Sequence, residues 1–345
     1  MSALRRDRAA AQLLHRPRGG ALAVVEHLLA VQAQDLRAAR LALRARAKGL
    51  RAADVDAALN ERGLVVGWLM RGTLHLVGRD DYRWLLALTA PGRVTANARR
   101  LKQEGVSPDD ADRAVKIMER ALGRHGPLTR PELAERIAAH AIRIEGQATP
   151  HLLMLAALRG VAVLGPLRGD VQAFVLARDW LGDEPALGER DRALAELARR
   201  YLRGHGPAGA ADLAAWAGLP LRDARAGLEA IASELSERRG LVDLARRAAA
   251  PDAIAPRLLP AFDPYLLGWK DRGFAVPAKH ARRVHPGGGM VRATATVDGR
   301  AVGTWTLPGG RVELDLFGRP RVAERDKLQR EAADVARFLT NARPS

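Results

Sequence analysis

Apolar and polar positions along the chain change period several times, and each change marks an element. Residues 4–16 and 21–34 carry apolar side chains at three- and four-residue spacing, which predicts two amphipathic helices. Pro17-Arg18-Gly19-Gly20 interrupts the pattern between them. Ala52, Val55, Ala58 and Leu59 predict a third helix over 52–61. Residues 63–77 are then β-rich around a turn at Arg71-Gly72. Three helices followed by a β-hairpin is the order of a winged helix-turn-helix domain. Asp80 is expected to cap a further helix running to Ala90, stopped by Pro91-Gly92.

An internal repeat extends the reading. Residues 122–134 match residues 202–214, with His125-Gly126-Pro127 and His205-Gly206-Pro207 80 residues apart. An amphipathic helix precedes each triplet (112–124 and 189–203), and a short capped helix follows it from Thr129 or Ala208. Recurrence at this spacing signals tandem copies of one unit, and the two histidines read as turn caps. After the first copy come a candidate recognition helix at 150–160 and two strands around Arg168-Gly169-Asp170, a wing. After the second come a helix at 220–235 and a strand near 240–244. The chain therefore reads as three winged-helix units, 1–110, 111–185 and 186–255. A C-terminal β-rich domain follows at 256–345.

That last part alternates over 290–305 around Asp298-Gly299, a hairpin signal. Strands continue to Phe317, and an amphipathic helix is expected over 321–340. Asp263 and Asp271-Arg272 read as an internal polar network. Arg282, Arg283 and His285 stand beside Gly287-Gly288-Gly289, which predicts a basic tip that lets a phosphate backbone approach closely at Gly288. An incidentally charged linker is the competing reading.

Charge narrows the partner. A net charge of +17 predicts attraction to a polyanion. Only six of the 56 basic residues are Lys, and Arg grips phosphate as a fork. Half of that preference is attributable to GC-rich coding. The absence of cysteine excludes disulfides, thiolate nucleophiles and Cys-ligated metal. Neither a metal-ligand spacing nor a phosphate-cradling Gly loop is present, so no cofactor is expected. With no signal-peptide core, apolar span or basic amphipathic membrane helix, a cytoplasmic bacterial protein is expected.

The chemistry concentrates in Gln32-Ala33-Gln34-Asp35, at the end of an apolar run. A glutamine amide both donates and accepts, so it can orient a water. On a helix two glutamines at i and i+2 lie about 200° apart; they converge only on non-helical backbone. Asp35 is a candidate electrostatic helper, or the cap of the Arg-rich helix that follows. Thr73 and His75 alternate with Leu74 and Leu76 and are candidates for lining a channel or contacting phosphate, or equally for a structural role. Arg37 and Arg71 are candidate contacts to a polyanion such as nucleic acid, with a solvated arginine at the turn the commoner outcome for Arg71. Lys48 is the nearest lysine, on an Arg-rich face expected to be solvated.

Three stretches carry a resemblance to a known family: Trp68–Val77 with Asp80 or Asp81, Leu259–Arg272, and Val297–Trp305. They resemble the tandem winged-helix family of bacterial alkylpurine DNA glycosylases, in order and over nearly the whole chain. The resemblance implies three winged helices around a concave DNA channel, with a C-terminal hairpin that probes DNA. It also implies a Gln-apolar-Gln motif positioning the hydrolytic water, which maps onto Gln32 and Gln34. The crosslink-repair branch more often carries Gln-apolar-Asp, so this chain looks closer to the azinomycin self-resistance branch. The expected function is monofunctional hydrolysis of bulky N7- or N3-alkylated purines from double-stranded DNA by a monomer. The alternative is a non-catalytic winged-helix regulator.

Overall fold

A computed structural model describes residues 2–15, 17, 19–182, 188–238 and 240–340. The fold is mixed α/β. In chain order it comprises α1 (Ser2–Ala11), α2 (Ala21–Leu28), β1 (Ala30–Gln32), α3 (Leu36–Arg44), α4 (Ala52–Asn60), β2 (Leu64–Trp68) and β3 (Leu74–Gly78). There follow α5 (Arg79–Thr89), α6 (Pro91–Gln103), α7 (Pro108–His125), α8 (Arg130–Ala138), α9 (Ala148–Leu158), β4 (Ala162–Arg168), β5 (Val171–Leu176) and α10 (Ala177–Leu181). Next are α11 (Arg190–His205), α12 (Ala210–Ala217), α13 (Leu221–Glu229), β6 (Leu235–Arg238), β7 (Leu241–Leu244) and β8 (Arg257–Leu259). The chain ends with α14 (Pro264–Leu267), α15 (Ala281–Val284), β9 (Thr294–Val297), β10 (Arg300–Thr306), β11 (Glu313–Leu316) and α16 (Val322–Thr340). Three helices and a hairpin recur in order at α7–β5 and again at α11–β7.

Two compact units result, Met1–Val55 with Leu194–Ser345, and Asp56–Ala193. In the second, antiparallel strands pair in the order β3-β2-β4-β5. Gly67 on β2 admits the Tyr82 ring of α5, because a Cβ there would fall 2.4 Å from it. In the first unit, β11-β10-β9-β8 form an antiparallel sheet and β6-β7 a separate ribbon. Asp298 and Gly299 both have positive φ (49° and 72°), the two-residue primed turn that an Asp-Gly pair predicts. Arg5 and Arg6 of α1 bind the Asp298 carboxylate at 3.0 Å. That turn is thus docked on the N-terminal helix.

Several expectations need correction. The helix expected over 21–34 ends at Leu28, because Leu29 turns to φ 68° and the chain extends into β1. Leu28 to Val31 is wholly buried, and a short apolar run carries no period to separate strand from helix. Gly78, not Asp80, precedes the first turn of α5, and Pro91 opens α6 instead of stopping α5. Proline suits a first helical position because that N–H needs no partner. The helix expected over 220–235 ends at Glu229. Finally, the Arg-rich face is partly interior. Arg44 binds Glu331 and Asp334 of α16 and the Leu258 carbonyl. Arg46 forms a fully enclosed pair with Asp263 at 2.7 Å and donates to Gln12 at 2.8 Å. Asp271 instead accepts from the Gly273 N–H.

Candidate functional site

The glutamine motif lies just after Leu29, whose φ of 68° with ψ of −45° is a sparsely populated conformation costing an L-residue about 1–3 kcal/mol. Leu29 is fully buried, so packing holds the reversal in place and delivers β1 from the end of α2. Burial then alternates: Val31 and Ala33 are enclosed, Gln32 is half-buried and Gln34 is exposed. β1 ends at Gln32 and Gln34 follows in a bend before α3, so the two glutamines are the more accessible positions of a short non-helical segment. The non-helical backbone that two converging amides require is therefore present. Immediately afterwards the Asp35 carboxylate accepts from the Arg37 and Ala38 N–H groups at 2.9 and 3.3 Å, capping α3. Arg37 is exposed in the first turn of that helix, and Lys48 is exposed beyond its end.

Arg71, Thr73 and His75 belong to the second unit. Arg71 is half-buried at the β2–β3 turn with φ 55°. The Thr73 hydroxyl donates to the Met70 carbonyl at 3.4 Å. His75 Nδ1 lies 3.0 Å from the Thr73 carbonyl, so Nδ1 carries the proton. Burial, reinforced by the Arg71 charge, pushes the His75 pKa down to about 3. At 2% exposure this neutral ring braces the turn and presents no surface to a phosphate.

The basic segment near the C-terminus divides in a similar way. Arg282 is exposed, whereas Arg283 pairs with Asp315 at 2.6 Å and lies 4.3 Å from the Phe317 ring. The bond from Arg283 holds the Asp315 carboxyl below its ordinary value. His285 is half-buried, and burial with the nearby Arg272 charge lowers its pKa to about 4. Gly287, Gly288 and Gly289 all have positive φ and open space where a Cβ would stand, so they form a projecting tip with the exposed Met290. A second tip was missed. Thr304 pairs with Thr294, and the Trp305 N–H donates to the Ala293 carbonyl. The segments before β9 and after β10 thus leave the same end of the sheet. Pro308-Gly309-Gly310-Arg311, exposed throughout, joins the first tip there. The signal was in the sequence: Pro-Gly-Gly recurs at 286–288 and 308–310.

A model of the family described as DNA glycosylase AlkZ-like matches residues 25–338. This chain belongs to the AlkZ-like DNA glycosylase family. The interstrand DNA cross-link repair glycosylase of Streptomyces sahachiroi is similar at 29% identity over 334 residues, covering 91% of this chain and 89% of that protein. The solved structure of Streptomyces sahachiroi DNA glycosylase AlkZ superposes with a TM-score of 0.78 at 27% identity, over 98% of this chain and 96% of the other. The family match begins within α2 and so includes the glutamine motif. Among the described residues, no group of three or more His, Cys, Asp and Glu is placed to hold a metal ion. The chemistry open to Gln32 and Gln34 is that of neutral amides: accepting from a water, donating to it, and stabilising nearby positive charge through their carbonyl oxygens.

Proposed function

We propose that this AlkZ-like protein is a monofunctional DNA glycosylase that hydrolyses the N-glycosidic bond of bulky N7- or N3-alkylated purines, including those in interstrand crosslinks and genotoxin adducts. The observation that carries the reading is the pair of accessible glutamines on one short non-helical segment between α2 and α3, Gln32 ending β1 and Gln34 in the bend after it. An N7- or N3-alkylated purine is cationic, and its departure leaves an oxocarbenium-like sugar. The barrier is therefore lowered by orienting a water and favouring positive charge, and no strong base is required. Gln32 and Gln34 hold that water through their amide oxygens, while Asp35 fixes the following helix and acts on the site through position. The relative from Streptomyces sahachiroi is named for interstrand DNA cross-link repair, which supports bulky substrates.

On this reading three winged-helix units cradle double-stranded DNA in a concave channel. Arg37, Arg71 and Arg282 contact its backbone, and the tip at Gly288 meets a groove. The protein acts in the cytoplasm as a monomer, without a cofactor. No lysine stands beside the glutamines in the sequence, so the product is an intact abasic strand, with no Schiff-base cleavage. The test is incubation of wild-type protein with duplexes carrying N7-methylguanine or a bulkier N7-guanine adduct. Release of the free base, with strand scission only after alkali, is expected. Scission without alkali would contradict the monofunctional reading, and release from neither lesion would contradict the function.

A further inference from the structure

A cavity of about 710 Å³ opens in the first unit between the end of α1, one face of α2, the end of α11 and the chain after β7. Its described lining includes His15, His27, Arg203, Arg246 and Arg247 and no carboxylate. Neither glutamine of the candidate site contributes to it. Five basic side chains from four separate segments converge here. The size falls within the range of ligand sites, about 300–1,000 Å³, and exceeds what one small ion fills.

The five groups have different tasks. Arg247 is fixed: its Nε donates to Asp243 at 2.7 Å, and its far nitrogen binds the Leu202 carbonyl. His27 is tethered through Nε2 to the Ala11 carbonyl at 2.7 Å. These two are built into the wall. Arg203 and Arg246 are exposed at the rim, where a guanidinium fork can close on two oxygens of one phosphate. His15 is half-buried behind them.

We propose that this cavity is a phosphate seat that grips a phosphodiester of the DNA backbone away from the glutamine pair. The choice of DNA over a free phosphate ligand rests on the glycosylase-family reading of the chain. The seat adds affinity without reading sequence, because phosphate contacts position a protein on a duplex and base contacts specify it.

The test uses the full-length protein and the double variant R203A/R246A, whose exposed side chains leave the fold intact; an unchanged urea midpoint checks this. Binding of an undamaged duplex is measured across a salt series, beside binding of inorganic pyrophosphate. Each neutralised phosphate contributes about 0.9 to the slope of log affinity against log salt. The variant is expected to lose about 2 from that slope if each arginine holds one phosphate, or about 1 if both share one, with no saturable pyrophosphate binding to wild type. An unchanged slope would overturn the seat. Pyrophosphate binding lost in the variant, with an unchanged DNA slope, would reassign the phosphate to a free ligand and overturn the DNA source. Base release by wild type is scored separately. A slope change without release would sink the glycosylase function and leave the seat, whereas release with an unchanged slope would sink the seat alone.

Discussion

The two His-Gly-Pro copies share a sequence signature and meet opposite surroundings. His125 ends α7 and is exposed. His205 ends α11 at zero exposure, stacked on Tyr201 at 4.8 Å and flanked by Trp216 and Trp269 at 5.0 and 5.4 Å. The Trp269 indole donates to the His205 carbonyl at 2.9 Å, and a Cβ on Gly268 would strike the imidazole. The downstream helices differ as well. No residue of α9 is exposed, whereas α13 leaves Leu221, Arg222, Arg225 and Glu229 open. The expected recognition helix at 150–160 is therefore a core helix, unable to enter a groove as it stands. A shared signature sets turn and helix order; what packs against each copy decides which face remains to meet a partner.

The largest contrast should appear in stability. His205→Ala removes a ring from a closed aromatic cluster and should cost about 3–5 kcal/mol, by analogy with large aromatic truncations. His125→Ala should stay within about 0.5 kcal/mol. Paired urea melts decide this, and equal losses would break the comparison. Next in size, Leu153→Ala on buried α9 should cost about 2–5 kcal/mol. Leu221→Ala on α13, 41% exposed, should stay near 0.5 kcal/mol or below.

A smaller effect is acid sensitivity. Burial pushes His205, like His75, down to about 3. An unfolded histidine titrates near 6.5, so between these values the unfolded chain binds more protons. The stability held in the neutral rings is complete above about pH 6.5 and drains as pH falls toward 3. His205→Phe should flatten that part of the pH–stability curve; an unaltered slope between pH 6.5 and 4 would refute the assignment. Smallest is the helix start in the first copy, where Glu132 accepts from the Thr129 N–H at 2.6 Å and hydroxyl at 2.8 Å. Thr129→Ala should cost about 1 kcal/mol, and Thr129→Gly less, as the Gly209 that replaces it in the second copy implies.

The repeat, the hairpin beside its first copy and the closing helix were legible from residues alone, whereas the second copy showed only the later strand of its hairpin. Contacts distant in sequence were not legible. Nothing local marks Arg46 as the partner of Asp263, 217 positions away, so an interior arginine passed for a solvated one. The burial of His75 likewise depends on packing that alternation along β3 cannot report. At the candidate site, the pairing of Gln32 with Gln34 was visible as spacing. The helix end that frees them was hidden, because a positive φ at Leu29 has no sequence mark of the kind glycine supplies.

The central claim is that Gln32 and Gln34 together hold the hydrolytic water. Single-turnover base release from a duplex carrying N7-methylguanine, with wild type, Gln32→Ala and Gln34→Ala compared at matched duplex occupancy, tests it most directly. The account predicts release by wild type and a loss of about 100-fold or more in each variant, the scale seen when one preorganised catalytic group is removed, with duplex affinity retained. Release at the wild-type rate in both variants would contradict it. Tight binding with no release by wild type, here and from a bulkier N7 adduct, would mark the chain as a DNA-binding regulator.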